Sequence, residues 1–237
     1  MAEVIQRSCE FTNLGVLEYT RALALQQEIL AKKLDNRDVN DHLLFVEHPA
    51  VYTLGRRGGR ENLVVAESFL AEKNISVVQT DRGGNITYHG PGQAVLYPVI
   101  DLEKNKLSVP DFVWGLEEIM KRTCEAFNVP ADRDERNHGL WVDNMKIGSV
   151  GIALKKGISI HGLALNINPD LTPFTWINPC GLANQAMTSI AKQKNEKQRQ
   201  LDLPADSGDT ILMEKISTGF INLFTDIFQI PIKGNAQ

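Results

Sequence analysis

The sequence predicts an α/β fold of the α+β type, in which helices surround a mixed sheet. Strand-like and helix-like segments follow one another without the regular alternation that a doubly wound parallel sheet requires. Several strand-like segments are separated only by short turns, which is typical of hairpins. No composition shift precedes residue 191 and no internal repeat is present, so we expect residues 1–237 to form a single domain.

Strands are predicted where short apolar or alternating segments are bounded by turn residues. These segments are 4–13, 42–47, 51–54, 75–79, 86–88, 94–100, 139–142, 146–154 and 158–167. Pro98 predicts an edge or irregular position for the strand that contains it, because proline cannot donate a hydrogen bond to a sheet. Residues 155–157 predict the turn of a hairpin between the last two strands.

Helices are predicted where apolar residues recur at spacings of three and four. These segments are 16–34, 66–73, 109–127, a helix that starts at 188, and 211–228. In the first helix, Ala22, Leu25 and Ile29 form the expected buried stripe. In the third, Cys124 lies on the apolar face, which favours a core position over a chemical role. We expect the polar segment 192–200 to be a solvated face or a flexible loop rather than a binding arm.

The composition argues against several classes of partner. With 25 basic and 29 acidic residues the net charge is −4, which gives no reason to expect nucleic acid or a membrane surface. No apolar run approaches the ~20 residues of a membrane span, and the N-terminal segment lacks the layout of a signal peptide. The three cysteines are too far apart for a disulfide framework or a cysteine-rich zinc site. We therefore expect a soluble, cytoplasmic protein with reduced thiols.

The stretch from Arg82 to Gln93 contains four glycines and one proline around a strand-like triplet. Glycine permits a positive φ and lets other atoms approach the backbone closely. The polar side chains of this stretch are therefore held on a chain path that glycine makes possible. Two interpretations stay open from this stretch alone: a tight hairpin with a polar rim, or a wall of a ligand pocket.

Nucleotide and metal motifs are missing from the sequence. No Gly-Lys dipeptide is present, which excludes a Walker A loop, and the glycines at 90 and 92 lack the third glycine of a dinucleotide fingerprint. The histidines show no metal-ligand spacing. His89, His138 and His161 are each followed by glycine, so they either end strands beside turns or line a pocket.

Cys180 differs from the other cysteines because it lies between Pro179 and Gly181 in a proline-rich, non-periodic segment. It is either a buried loop cysteine or a nucleophile. A nucleophilic thiol needs a base or a cationic partner, because the thiolate is the reactive form. His89 or His161 could supply this partner, and so could Lys146, which begins an apolar strand. An exposed lysine at the end of a hairpin is the alternative for Lys146.

Several motifs together resemble the octanoyltransferase family, also called lipoyl(octanoyl) transferases or the lipoate-protein ligase B family. They are Arg82-Gly-Gly-x-x-Thr-Tyr-His-Gly-Pro-Gly-Gln93, Lys146-Ile-x-Ser-Val-Gly151, His161-Gly-x-Ala-Leu-Asn166, Pro179-Cys-Gly181 and Glu47-His-Pro-x-Val-Tyr-Thr-Leu-Gly55. The resemblance spans residues 8–190. It implies a catalytic domain like that of biotin and lipoate protein ligases, with a larger mixed sheet, a smaller second sheet and surrounding helices.

The resemblance also implies an acyltransferase of lipoate biosynthesis and protein lipoylation. The donor would be octanoyl-acyl carrier protein, and the acceptors would be lysines of lipoyl domains in 2-oxoacid dehydrogenase E2 subunits and in the glycine cleavage H protein. Cys180 would carry the acyl group as a thioester and Lys146 would activate it, with no cofactor and no metal. Substrate contacts would fall on Arg82, Gly83, Gly84, Asn85, Ile86, Thr87, Tyr88, His89, Ser149, Val150, Gly151, Gly162, Leu163 and Ala164.

Two other functions fit parts of this pattern. An ATP-dependent lipoate-protein ligase would share the fold but would not need Cys180, and a non-catalytic protein that binds acyl carriers or lipoyl domains would need neither Cys180 nor Lys146. The chain departs from the family pattern at Gly148, where the family often has alanine. The basic loop with Arg56, Arg57 and Arg60 is a candidate docking surface for an acidic carrier protein.

Overall fold

The computed structural model describes residues 8–178, 185–200 and 213–233. Within these residues the strands are β1 (Cys9–Val16), β2 (Asp41–Glu47), β3 (Val51–Leu54), β4 (Ser76–Gln79), β5 (Ile86–His89), β6 (Gln93–Val99), β7 (Gly139–Val142), β8 (Met145–Lys155), β9 (Ile158–Asn166) and β10 (Ile232–Lys233). The helices are α1 (Tyr19–Asp35), α2 (Glu67–Glu72), α3 (Val109–Ala126), α4 (Ile190–Gln200) and α5 (Met213–Phe228). Short 3₁₀ turns occupy Arg60–Asn62 and Thr172–Trp176.

Two mixed sheets form the framework, as the predicted fold class requires. In the described residues the larger sheet has the order β10-β1-β2-β6-β9-β8-β7, and the smaller one has the order β4-β3-β5. Strand β1 runs parallel to β2 and β10, whereas the pairs from β2 through β7 are antiparallel. In the smaller sheet β3 is parallel to β4 and antiparallel to β5. The prediction of a larger mixed sheet with a smaller second sheet is confirmed.

Strand β6 lies in the middle of the larger sheet, so the prediction of an edge position at Pro98 is wrong and the prediction of an irregular one is confirmed. The β6–β9 pairing ends at Leu96 and Leu163, before the proline. The Ile100 N–H points toward β9, where it donates to Ser159 Oγ at 3.0 Å. Because N–H groups alternate sides along a strand, the ring nitrogen of Pro98 faces this interrupted part of the ladder, where no donor is required.

Helix α1 buries a different stripe from the predicted one. Ala22 is buried, but Leu25 is 37% exposed. The buried face includes two polar side chains instead. The side-chain amide oxygen of Gln26 accepts a hydrogen bond from the backbone N–H of His161 at 2.7 Å, and the Lys33 ammonium pairs with Asp41 at 2.7 Å. Counting apolar residues misses this face, because its polar members are buried only by virtue of their partners.

The helices cover the larger sheet on both faces. Ser108 caps the N-terminus of α3, because its hydroxyl accepts the Asp111 N–H, and the helix packs with α5 on one face of the sheet. Cys124 is fully buried in the core between them, as predicted. Helix α1 covers the opposite face, where Tyr19 packs with alternate residues of β6. In the part of the chain that the structure describes, no helix is long and apolar enough to cross a membrane.

Candidate active site

A cavity lies between the two sheets, on the face of the larger sheet that α1 covers. Its walls come from the loop before β5 and β5 itself, and from β8 and β9, with single residues from α1 and β6. The lining residues are Tyr19, Arg82, Gly83, Gly84, Asn85, Ile86, Thr87, His89, Tyr97, Asn137, Lys146, Ser149, Val150, Gly151, His161, Gly162, Leu163 and Ala164. Segments far apart in the sequence therefore meet at one cavity.

Most of the residues predicted to contact substrate line this cavity, together with Lys146. Among the described residues, Tyr88 is the predicted contact that the structure places elsewhere. Side chains alternate along β5, so Thr87 and His89 share one face of the strand and Tyr88 takes the other. Its ring packs in the small core, 5.3 Å from the ring of Phe174 and 5.5 Å from that of Tyr52. Cys180 lies outside the described residues.

Lys146 is a buried lysine at the edge of the cavity, with 1% of its surface exposed. Leu140 pairs with Gly148 but Trp141 pairs with Lys146, so one extra residue, Ile147, forms a bulge in β8. Such a bulge re-aims neighbouring side chains. Ile147 packs in the main core, whereas Lys146 reaches the cavity. Its ammonium group lies 5.3 Å from the centre of the Trp141 ring.

The Lys146 ammonium also donates a hydrogen bond to the His138 carbonyl oxygen at 2.9 Å. The next residue, Gly139, has a φ of +129°. A Cβ at this position would lie 2.2 Å from the Gly148 carbonyl oxygen and 2.9 Å from Lys146 Cε. Glycine is therefore required here, because any side chain would displace the strand or the lysine.

The chain that follows residues 179–184 pairs with the backbone of Lys146. The Lys146 N–H donates to the Ala186 carbonyl oxygen at 3.0 Å, and the Thr188 N–H donates to the Lys146 carbonyl oxygen at 2.9 Å. The Gln185 amide donates to the carbonyl oxygen of Asn144 at 2.8 Å. The segment with Cys180 is thus joined, within six residues, to the strand that positions Lys146.

Arg82 ties the cavity wall to the smaller sheet. Its guanidinium group is buried and donates to the Thr53 hydroxyl at 3.1 and 2.9 Å, to the Thr53 carbonyl oxygen at 2.6 Å, and to the Gly83 carbonyl oxygen at 3.0 Å. A planar guanidinium can satisfy this set of acceptors at once, whereas an ammonium group cannot. Arg82 therefore holds the glycine-rich loop against β3.

His89 occupies the centre of a buried hydrogen-bond network. The Gln93 amide nitrogen donates to the Tyr88 carbonyl oxygen and to Asn166, which orients its oxygen toward His89 Nδ1 at 2.6 Å. His89 therefore donates from Nδ1, and its Nε2 can accept from the Thr53 hydroxyl at 3.4 Å. Burial lowers the pKa of His89 to about 3, with His48 and Arg82 contributing in the same direction. The imidazole is neutral near pH 7.

Two more histidines and two tyrosines adjoin His89. Tyr19, Tyr97 and His161 line the cavity, and the ring of His48 contacts those of Tyr19, His89 and Tyr97. His48 Nδ1 donates to the Leu17 carbonyl oxygen at 2.6 Å, and its Nε2 accepts from the Tyr97 hydroxyl at 2.8 Å. Burial lowers the pKa of His48 to about 4. His161 Nε2 contacts Asp81 at 2.8 Å and its Nδ1 lies 3.4 Å from the Tyr19 hydroxyl. Burial lowers the pKa of His161 despite the opposing effect of Asp81.

The repeated His-Gly pattern in the sequence predicts that His161 either ends a strand beside a turn or lines a pocket. His161 lines the cavity. His138 shares the pattern, but its side chain is 72% exposed. Tyr19 and Tyr97 were missed, because each lies in an apolar stretch and the sequence carries no signal for its position. Among the described residues, no group of three or more His, Cys, Asp or Glu side chains is arranged to hold a metal ion.

Solved structures identify the class of the fold. A structure of the bipartite lipoate protein ligase of Thermoplasma acidophilum and its E2 lipoyl domain matches with a TM-score of 0.68 at 15% identity, over 97% of this chain and 87% of that chain. Biotin protein ligase of Aquifex aeolicus in complex with biotin and ATP matches with a TM-score of 0.52 at 11% identity, over 93% and 70%. The fold is that of lipoate and biotin protein ligase catalytic domains.

Sequence comparison narrows this class to a family. The lipoyl protein ligase A/B catalytic domain matches residues 18–204. The octanoyltransferase of Desulfotalea psychrophila is 45% identical over 203 residues, which cover 82% of this chain and 91% of that protein. The octanoyltransferase of Nitratidesulfovibrio vulgaris is 40% identical over 219 residues, covering 92% and 94%. The chain belongs to the lipoyl protein ligase A/B catalytic-domain family and, within it, to the octanoyltransferases, which are acyltransferases.

Proposed function

We propose that the chain transfers an octanoyl group from octanoyl-acyl carrier protein to a lysine of lipoyl domains, through a thioester on Cys180. The acceptors would be the lipoyl domains of 2-oxoacid dehydrogenase E2 subunits and the glycine cleavage H protein. The observation that carries the proposal is the buried Lys146 at the cavity, on a strand paired with the chain that leads away from Cys180. A buried lysine at the edge of a cavity is a candidate proton carrier.

In the first half-reaction, the Cys180 thiol gives its proton to Lys146 and the thiolate attacks the carbonyl carbon of the donor thioester. A new carbon–sulfur bond forms to Cys180, the bond to the carrier thiol breaks, and the leaving thiolate takes up the proton. In the second half-reaction, the acceptor amine attacks the acyl-enzyme and loses a proton to Lys146, and Cys180 leaves as the thiol. A thioester becomes an amide, which is downhill, so the transfer needs no ATP.

The cavity offers a site for the eight-carbon chain. Four apolar residues line it, namely Ile86, Val150, Leu163 and Ala164. Ala164 lies on the face that α1 covers, whereas the side chains of Ile86 and Leu163 pack in the small and main cores and Val150 packs against the main core. Backbone at Gly83, Gly84, Gly151 and Gly162 leaves room beside them. At ~0.8 kcal/mol for each buried carbon of the chain, the seven carbons beyond the carbonyl could contribute about 5.6 kcal/mol of binding. On this proposal the glycine-rich wall binds the acyl chain, and Tyr88 supports that wall from the small core.

The acyl-enzyme can be tested directly by intact-protein mass spectrometry after incubation with octanoyl-acyl carrier protein. We expect one octanoyl adduct on the wild type and none on Cys180→Ser. Cys124→Ala is the matched control, because Cys124 is buried in the core and its replacement should leave the adduct intact. An undiminished adduct on Cys180→Ser would overturn the proposed thioester.

The role of Lys146 can be tested in the same assay by rapid mixing. Lys146→Ala should slow acylation by roughly 10²–10⁴-fold while the donor still binds. Lys155→Ala is the matched control, because Lys155 is exposed on the same strand. Acylation of Lys146→Ala at the wild-type rate would exclude Lys146 as the proton carrier.

The loop with Arg56 and Arg57 is proposed to dock the acidic carrier protein. The Arg56 N–H donates to the Arg82 carbonyl oxygen at 2.9 Å, and the Arg57 N–H donates to the Gly84 carbonyl oxygen at 3.1 Å, so the loop is fixed to the cavity wall. Both side chains are exposed, whereas Arg60 forms an ion pair with Glu67. We therefore assign docking to Arg56 and Arg57 and leave Arg60 out.

Charge reversal tests this docking surface. Arg56→Glu combined with Arg57→Glu should raise the KM for the carrier substrate roughly tenfold and flatten its salt dependence, with kcat preserved. A control for charge reversal is Lys215→Glu on α5, which covers the opposite face of the larger sheet; its charge change equals that of either single arginine variant, with which it is compared. An unchanged KM in the double variant, or an equal rise in the control, would remove the docking assignment.

A further inference from the structure

Glu117 is a buried carboxylate that the proposed mechanism does not use. It lies on α3 with 6% of its surface exposed. One carboxylate oxygen accepts the Gly139 N–H at 2.8 Å and lies 3.3 Å from His138 Nδ1. The other oxygen lies 3.2 Å from Arg133 Nε. Burying a carboxylate costs desolvation free energy unless a cation and hydrogen-bond donors compensate its charge.

The peptide group between His138 and Gly139 connects this carboxylate to Lys146. Its N–H donates to Glu117, and its carbonyl oxygen accepts the Lys146 ammonium at 2.9 Å. In a planar trans peptide the N–H and C=O bonds point in opposite directions. Glu117 and Lys146 therefore bind opposite sides of one amide. Hydrogen bonds in such a chain polarise one another, so a carboxylate on the N–H makes the carbonyl oxygen a stronger acceptor.

We propose that Glu117 is a positioning residue for Lys146, acting through the 138–139 peptide. It orients the carbonyl oxygen that holds the lysine at the cavity, and its charge favours the ammonium form. This inference rests on the proposed function, in which Lys146 carries the proton of the transfer. Glycine at 139 completes the arrangement, since a side chain there would lie against Lys146 Cε.

The test is the pH profile of acylation in Glu117→Gln. Glutamine can still accept the Gly139 N–H, so the variant removes the charge and keeps a hydrogen-bonding side chain. We expect the rising limb of the profile to move to lower pH by about half a unit or more, because the ammonium form loses the nearby charge. We expect the limiting rate on the plateau to fall by about threefold, because the lysine becomes a weaker base and is held less firmly. Donor KM should stay unchanged, which a general loss of structure would not produce.

Glu118→Gln is the matched control. Glu118 is the neighbouring carboxylate on the same helix and pairs with Arg122 and Arg133, without a contact to the 138–139 peptide. Its replacement perturbs the same ionic cluster and should leave the profile in place. A Glu117→Gln profile identical to that of the wild type would overturn the inference, and so would an equal displacement in Glu118→Gln.

Arg133→Gln keeps the inference testable if Glu117→Gln fails to fold. Removing the cation beside Glu117 leaves more of the carboxylate charge acting on the peptide, so the profile should move to higher pH. A profile that stays in place or moves downward counts against Glu117. Lys146→Ala separates this inference from the proposed function. Normal acylation in Lys146→Ala would refute the role of Lys146 as proton carrier. If Lys146→Ala is inactive but the Glu117 variants acylate normally, only the positioning role of Glu117 is refuted.

Discussion

Two buried histidines, one in the cavity wall and one beside it, predict a steep loss of stability on mild acidification. Burial holds the pKa of His89 at about 3 and that of His48 at about 4, against 6.5 for an exposed imidazole. Below about pH 6.5 the unfolded chain takes up protons at both residues, while the folded chain stays neutral there. Stability therefore falls as the pH drops from 6.5, and the loss is complete only below the folded-state pKa values.

The size of this effect follows from the pKa differences. Between about pH 7 and pH 5, each of the two histidines costs about 2 kcal/mol of unfolding free energy, because the unfolded form is protonated and the folded form is not. Together they remove about 4 kcal/mol, a large part of the roughly 5–15 kcal/mol that stabilises a typical domain. The lowered pKa of His161 acts in the same direction.

Urea denaturation at pH 7 and pH 5 measures this loss. For the wild type we expect the unfolding free energy to fall by about 4 kcal/mol or more. In His89→Gln, the unfolding free energy should fall by about 2 kcal/mol less between pH 7 and pH 5 than in the wild type. Any loss of stability that the substitution causes at both pH values cancels when the two are subtracted. Equal pH dependence in wild type and His89→Gln would refute the reasoning that His89 is buried and neutral.

Three further predictions concern packing around the site. Gly148→Ala should cost about 1–3 kcal/mol in urea denaturation, because the new Cβ would lie 2.6 Å from Met120 Sδ, and a Met120→Ala background should relieve that cost. Lys33→Met should cost about 3–5 kcal/mol by the same measurement, since it leaves the buried Asp41 carboxylate without its cation, with hydrogen bonds only from the Asp101 N–H and the Asn105 amide. Tyr88→Phe should leave kcat/KM for octanoyl transfer within about twofold of wild type, because its ring packs in the small core; a tenfold loss would place it in the site.

Helices and strands are predictable from the sequence where the residues that recur at regular spacing are apolar and become buried. The spacing of Leu212, Ile216, Phe220 and Phe224 predicts one buried stripe on the last helix. Ile216, Phe220 and Phe224 are buried on α5, and Leu212 lies outside the described residues. Helix α1 shows the limit, because its buried face includes Gln26 and Lys33. Their burial depends on hydrogen-bond and ionic partners at positions 161 and 41, and local sequence contains no information on such distant pairs.

The sequence predicts one wall of the cavity but not its floor, because only the wall is formed by a continuous stretch of chain. Its glycine-rich wall at 82–89 is one continuous stretch, so composition alone indicates a special backbone. The floor is assembled from separate elements, as the contact between Tyr19 and His161 across 142 positions shows. The sequence also does not predict the burial of Glu117, because a single glutamate in an amphipathic helix is usually solvated. Its contact with the 138–139 peptide depends on how α3 packs in the folded chain.

The hydrogen bonds of the histidines bear on which group moves protons in the cavity. Each imidazole N–H has a fixed acceptor: the Leu17 carbonyl oxygen for His48, Gln93 for His89 and Asp81 for His161. The remaining nitrogens face hydroxyl groups. Imidazoles with pKa values of about 3 and 4 are weak bases near neutral pH. A Cys–His pair with His89 is therefore disfavoured on energetic grounds. On the proposed function, the proton of the attacking thiol passes instead to Lys146, which the carbonyl oxygen of residue 138 holds at the cavity through a hydrogen bond of 2.9 Å.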